Sequence, residues 1–73
     1  MDREAALQVI RDCFVNVDVE QIAVEYDPLI GSEIAKVVVR DDQLAEALRL
    51  DGERARRAAM LSGLDVEVLL APQ

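Results

Sequence analysis

The residues of this sequence best placed for chemistry are arginines clustered within nine consecutive positions. They are Arg49, Arg54, Arg56 and Arg57. The same segment holds only Asp51 and Glu53 as acids. Guanidinium groups bind phosphate and carboxylate oxygens through paired hydrogen bonds, so any capacity to bind an anion is predicted to lie here. The alternative is a solvated helix face, on which Glu53 and Arg57 form an i,i+4 ion pair.

Catalytic groups are poorly supplied. Asp41–Asp42 could hold a metal ion or transfer a proton, but a strand-to-helix turn with a capping carboxylate explains the pair better. Cys13 falls on an apolar helix stripe, and the sequence contains no histidine, so no nucleophile–base pair can be assembled. Tyr26 is expected to pack beside Val24. The sequence therefore predicts a non-enzymatic protein with no metal, no cofactor and no small-molecule substrate.

Composition predicts one folded domain over residues 1–73, since 52% of the residues are hydrophobic and 32% are charged. A run of 18 apolar residues is absent, so no membrane contact is expected, and the single cysteine fits a reducing cytoplasm. The net charge of −7 resides in residues 1–48, which argues against a protein held to nucleic acid by bulk attraction.

Hydrophobic periodicity predicts a helix over Arg3–Phe14 with Asp2 as its N-cap. Alternating apolar residues then predict strands over Gln21–Tyr26 and Glu33–Arg40, joined by a short loop into an antiparallel pair. The second strand is expected to be central because its apolar run is nearly continuous.

In the second half, a helix follows Asp41–Asp42 with Leu44, Ala47 and Leu48 on one face. Gly52 interrupts it. A third helix is predicted over Glu53–Ser62, with alanines and Leu61 facing inward and Gly63 as its left-handed end. The last strand, Leu64–Leu70, returns parallel to the second strand. The predicted fold is a two-layer α/β (α+β) sandwich of order α-β-β-α-α-β, with three helices on one face of a three-stranded mixed sheet.

A further signal comes from a set of short segments in the second half of the chain. They are Ala35-Lys36-Val37-Val38-Val39-Arg40-Asp41-Asp42-Gln43-Leu44, Ala47-Leu48, Gly52, Ala55-Arg56, Ala58-Ala59, Leu61-Ser62-Gly63 and Val66. Together with the element order, they resemble the second KH domain of the transcription elongation and termination factor NusA family. The resemblance extends without gaps from Ala35 to Val68, and residues 1–34 agree mainly in element order. The resemblance implies a type II KH fold and a cytoplasmic protein that is associated with transcription or RNA.

The resemblance also implies a clamp for single-stranded RNA, which KH domains form with a Gly-x-x-Gly loop. Here the loop reads Arg49-Leu50-Asp51-Gly52, so only the last glycine is present. A left-handed conformation at Arg49 would cost about 1–2 kcal/mol. The Asp51 carboxylate would oppose a phosphate. Arg56 is the cationic position that matches the family outright.

Two interpretations remain open. In the first, the module binds single-stranded RNA weakly, with Arg49, Gly52, Arg54 and Arg56 at the phosphates and Arg57 in the same cluster. In the second, the loop has degenerated, residues 48–50 continue the helix, and the domain is a structural or protein-interaction module. Its partner, in the transcription machinery, would dock on the open sheet face over Ile34, Val38 and Leu69. The acidic first half would also suit a basic protein.

Overall fold

A computed structural model describes residues 2–72 of the chain. The helices are α1 (Arg3–Cys13), α2 (Asp41–Ala47) and α3 (Arg49–Ser62), and the strands are β1 (Val19–Asp27), β2 (Ser32–Val39) and β3 (Asp65–Leu70). The predicted α/β class, with three helices and a three-stranded mixed sheet, is confirmed. Among residues 2–72, no helix is long and apolar enough to cross a membrane.

The central strand of the sheet is β2, as predicted from its nearly continuous apolar run. It pairs antiparallel with β1 and parallel with β3. Ala35, Val37 and Val39 of β2 point to one face of the sheet and are fully buried. The residues between them point to the opposite face and are only half-buried. The sheet therefore has one face in the core and one open face.

The core lies between the buried face of the sheet and all three helices. Ile10 and Phe14 enter it from the α1 segment, Ala47 from α2 and Ala58 from α3. Small residues on α2 and α3 let these helices approach the sheet closely. All three helices therefore cover the same face of the sheet.

Two predicted helix ends are confirmed. The Asp2 carboxylate accepts a hydrogen bond from the Ala5 backbone N–H at 2.7 Å and caps α1. Gly63 ends α3 in the left-handed conformation, with φ of 78°, and its N–H donates to the Ala59 carbonyl oxygen. The predicted capping carboxylate at α2 is wrong, because Arg40 occupies the N-cap position. Asp41 and Asp42 lie in the first turn of α2, where their negative charges interact favourably with the positive end of the helix dipole.

Three predicted packing positions are also wrong. Leu61, Leu48 and Tyr26 are exposed rather than packed inward. The last turn of α3 instead buries Ser62, whose hydroxyl oxygen accepts a hydrogen bond from the Leu64 backbone N–H. Tyr26 lies near the end of β1, past the part of the sheet that contributes to the core. For Leu48 and Leu61, helical periodicity located the buried side of α2 and α3, but the docking angle of each helix selects which residues are covered.

Candidate nucleic-acid interface

The arginine cluster borders a surface groove of about 260 Å³ between the end of α1 and the start of α3. The residues that line it are Cys13, Val15, Arg49, Leu50, Glu53, Arg54 and Arg57. Three of the five arginine-loop residues predicted for RNA binding thus meet on one surface. Val15 and Leu50 are exposed, so the groove combines cationic groups with apolar walls.

The loop at the edge of this groove has an unusual backbone. Leu50, Asp51 and Gly52 are all left-handed, with φ of 56°, 58° and 76°. The Gly52 N–H donates to the Leu48 carbonyl oxygen at 3.0 Å. The expected strain at Arg49 therefore falls on Leu50 and Asp51 instead. The idea that residues 48–50 continue the helix is wrong, because Leu50 leaves the helical conformation.

Arg56 turns back toward this loop. Its guanidinium donates hydrogen bonds to the Asp51 carbonyl oxygen and, at 3.3 Å, to the Leu50 carbonyl oxygen. The same group lies 3.9 Å from the Asp51 carboxylate. Arg56 thus binds the two carbonyls that the left-handed residues turn out of the helix.

Arg54 joins α3 to α2. Its guanidinium donates to the Glu46 carboxylate at 2.9 Å and to the Glu46 carbonyl oxygen at 2.5 Å. Its side chain is only 18% exposed. Arg49 reaches the same carboxylate at 3.7 Å from the surface, with its side chain 63% exposed. Arg54 therefore binds the last turn of α2, and its positive charge also lines the groove.

The predicted i,i+4 ion pair on α3 is confirmed, with Arg57 and Glu53 3.5 Å apart. Both side chains line the groove. Three guanidinium groups therefore face Glu53 and the neighbouring Glu46, which leaves the groove with a small positive charge. That excess is small beside the net charge of −7 on the whole chain.

Cys13 forms part of the groove wall. Burial raises the pKa of its thiol, Asp12 raises it further, and Arg57 acts in the opposite direction. Since burial has the largest effect, the thiol is neutral at physiological pH and behaves as a small apolar group. Sequence reasoning missed the role of Cys13 and Val15 in the groove. The position of α1 against α3 is a tertiary feature that no local pattern encodes.

The residues predicted for protein interaction lie on the open sheet face. Ile34, Val38 and Leu69 are each half-buried, and Val38 pairs directly with Leu69. Lys36 lies between Ile34 and Val38 and forms an ion pair with Glu25 at 3.0 Å. The hydrogen bond and charge of Glu25 raise the pKa of Lys36. The apolar residues on this face are therefore interrupted by charge.

No protein-family model matches the chain, and no curated protein matches it.

Proposed function

We propose that this chain is a non-enzymatic type II KH-like module, resembling the second KH domain of the NusA family, that binds single-stranded RNA weakly. It would act in the cytoplasm, in association with transcription. The α-β-β-α-α-β order, together with the motif from Ala35 to Val68, supports the KH assignment.

The observation that carries the RNA proposal is the meeting of Arg49, Arg54 and Arg57 on one groove with apolar walls. Guanidinium groups bind phosphate oxygens, while apolar and planar groups can contact the faces of unpaired bases. The proposed contacts to the RNA phosphates are made by these arginine side chains and not by backbone amides. The Gly52 amide already donates to Leu48 and does not serve the phosphate in this conformation.

The proposed affinity is low for two electrostatic reasons. Glu46 and Glu53 neutralise most of the positive charge at the groove. The fully exposed Asp51 carboxylate lies at the loop tip, where a phosphate would approach. Each phosphate contact that does form releases counterions, so binding should weaken steeply with added salt.

An amide chemical-shift titration tests this proposal. The labelled chain is titrated at low salt with a short mixed-sequence single-stranded RNA. Shifts are expected at Cys13, Val15 and residues 49–57, and they should fade as salt is added. Absence of shifts at millimolar RNA, or shifts centred on the open sheet face, would contradict RNA binding at the groove.

A protein-interaction role on the open sheet face is the second candidate, favoured by the poor fit of the loop tip to phosphate. Val38→Glu would place a charge among Ile34 and Leu69 and should abolish binding of a protein partner or self-association. Unchanged sedimentation and unchanged partner affinity would rule out this use of the face.

A further inference from the structure

The open sheet face is organised in cross-strand rows. Ile34 of β2 lies between Glu25 of β1 and Asp65 of β3. The next row on this face is Ala23, Lys36 and Glu67. Side chains directly opposite each other in such rows are about 5 Å apart. Ile34 is therefore flanked by a carboxylate on each side.

The third row is Gln21, Val38 and Leu69, so it carries no charge. Val38 and Leu69 are half-buried and adjacent, which makes this end of the face its apolar end. Rows on one face are about 7 Å apart along a strand, so the Val38 row lies about 13 Å from the Ile34 row. The face thus changes from apolar to acidic over a short distance.

The charge on this face is strongly one-sided. In the paired rows of the three strands, four carboxylates accompany one ammonium group on this face; the carboxylates belong to Glu25, Asp27, Asp65 and Glu67. Arg40, which follows β2 beyond Val38, already lies within 4 Å of the carboxylates of Asp18, Glu20 and Asp42. The ammonium group of Lys36 is already paired with Glu25. The carboxylates of Glu25, Asp27 and Glu67 each raise the pKa of Lys36. The excess negative charge favours a positively charged partner over a neutral or acidic one.

We infer that the open sheet face docks a basic, amphipathic polypeptide segment from another protein. Its apolar side chains cover Val38 and Leu69, and its lysines or arginines meet Glu25, Asp65 and Glu67. This inference deepens the protein-interaction candidate above and rests on it. Charge complementarity selects the occupant: two copies of this chain would bring like-charged faces together, and nucleic acid would meet carboxylates instead of cations.

The distance between the two ends of the face sets the spacing in the partner. A lysine or arginine that meets Glu25 or Asp65 should lie about 13 Å from the apolar anchor, and one that meets Glu67 about 7 Å from it. The longer spacing is the one that the partner's sequence must provide. That is about nine residues along a helix or four along an extended strand.

The test titrates the labelled 73-residue chain with three synthetic helical peptides of equal length. One is an amphipathic leucine–lysine peptide, one has glutamate in place of lysine, and one has serine in place of leucine. Only the leucine–lysine peptide is expected to bind measurably and to shift the amides of Ile34, Val38, Glu67 and Leu69. Equal binding of the leucine–glutamate peptide would overturn charge selection but leave the protein-interaction candidate intact. Absence of shifts on this face with every peptide would overturn both.

Matched variants locate the contact. Glu67→Lys should weaken binding of the leucine–lysine peptide roughly tenfold, since an attraction becomes a repulsion. Glu67→Gln should weaken it by a smaller factor and avoids a repulsion with Lys36. Asp12→Lys makes the same charge change on α1, away from this face, and should have at most about a twofold effect. Equal losses for Glu67→Lys and Asp12→Lys would overturn the assignment of the face.

Discussion

At the residue scale, Leu50 and Asp51 adopt a backbone conformation that L-amino acids avoid. Leu50 is expected to cost about 1–2 kcal/mol, and Asp51 less, because aspartate tolerates the left-handed region better than most residues with a side chain. That cost is large for a chain of this size, whose core supplies roughly 3–5 kcal/mol of net stability. The Arg56 guanidinium offsets part of it by binding the Leu50 and Asp51 carbonyl oxygens.

Glycine substitution should therefore have opposite effects at two exposed positions of α3. Leu50→Gly relieves the left-handed strain and should leave the free energy of unfolding unchanged or raise it by up to about 1 kcal/mol. Met60→Gly removes an exposed side chain from regular helix and should lower it by about 0.5–1 kcal/mol. Urea unfolding of both variants gives the comparison. A larger loss for Leu50→Gly than for Met60→Gly would disprove the strained loop.

The Cys13 thiol supplies a second prediction at this scale. Because burial raises its pKa, the rate of alkylation by iodoacetamide should rise with pH at a higher midpoint in the folded chain than in the urea-unfolded chain. The folded state favours the protonated thiol, so this stabilisation is complete below the unfolded pKa and is lost as pH rises through the folded pKa.

Arg57 provides the control for that measurement. Its charge lowers the pKa of the thiol, so Arg57→Ala should move the alkylation midpoint to still higher pH. A folded-state midpoint at or below that of the unfolded chain would show that Cys13 is not shielded by the groove.

At the element scale, the join between α2 and α3 depends on two arginines that reach one carboxylate. Arg54 is largely buried and also bonds the Glu46 carbonyl oxygen, whereas Arg49 approaches the carboxylate from solvent. Charge-assisted hydrogen bonds are strong when their groups are withdrawn from water, and exposed ion pairs contribute little. The two arginines should therefore differ in their effect on stability.

Arg54→Ala should lower the free energy of unfolding by about 1–3 kcal/mol, because it leaves the Glu46 groups without this partner. Arg49→Ala makes the same charge change beside the same carboxylate and should cost under about 0.5 kcal/mol. Thermal or urea unfolding of the pair measures the difference. Equal losses would mean that Arg54 contributes only surface charge.

Helix ends show what the sequence could predict at this scale. Asp2 and Gly63 each bond a backbone group within four residues in the sequence, so both helix ends can be predicted from residue type and position. Asp41 and Asp42 have equally suitable side chains, but Arg40 takes the N-cap position because β2 ends directly before it. The inward face of β2 was predictable from strict alternation, whereas the exposure of Leu61 depends on how α3 docks.

The candidate site was predictable only in part, for the same reason. The arginines could be read from the sequence, since four cations in nine residues stand out in an acidic chain. The contacts that these arginines make could not be predicted from the sequence. The inward turn of Arg54 toward Glu46 and of Arg56 toward the loop carbonyls depends on the path of the chain through Leu50 and Asp51.

At the scale of the whole molecule, the two proposed surfaces differ in charge. The groove beside the α3 arginines has a small positive excess, and the open sheet face is acidic. The three helices pack on the opposite face of the sheet. The rows of carboxylates therefore lie on the side of the sheet that faces away from the core. A strongly acidic chain can therefore offer an anion one restricted place to bind, with low affinity and strong dependence on salt.

The most direct test of this account is the affinity for a short single-stranded RNA across a salt series, in the wild-type chain, Arg57→Ala and Arg3→Ala. Each substitution removes one cation and one exposed ion pair, Arg57 with Glu53 and Arg3 with Glu33, but only Arg57 lines the groove. Arg57→Ala should weaken binding several-fold and reduce the steepness of the log–log salt dependence by about 0.7, while Arg3→Ala should leave that slope unchanged. Equal behaviour of the two variants, or no binding by the wild-type chain at low salt, would contradict an RNA-binding groove.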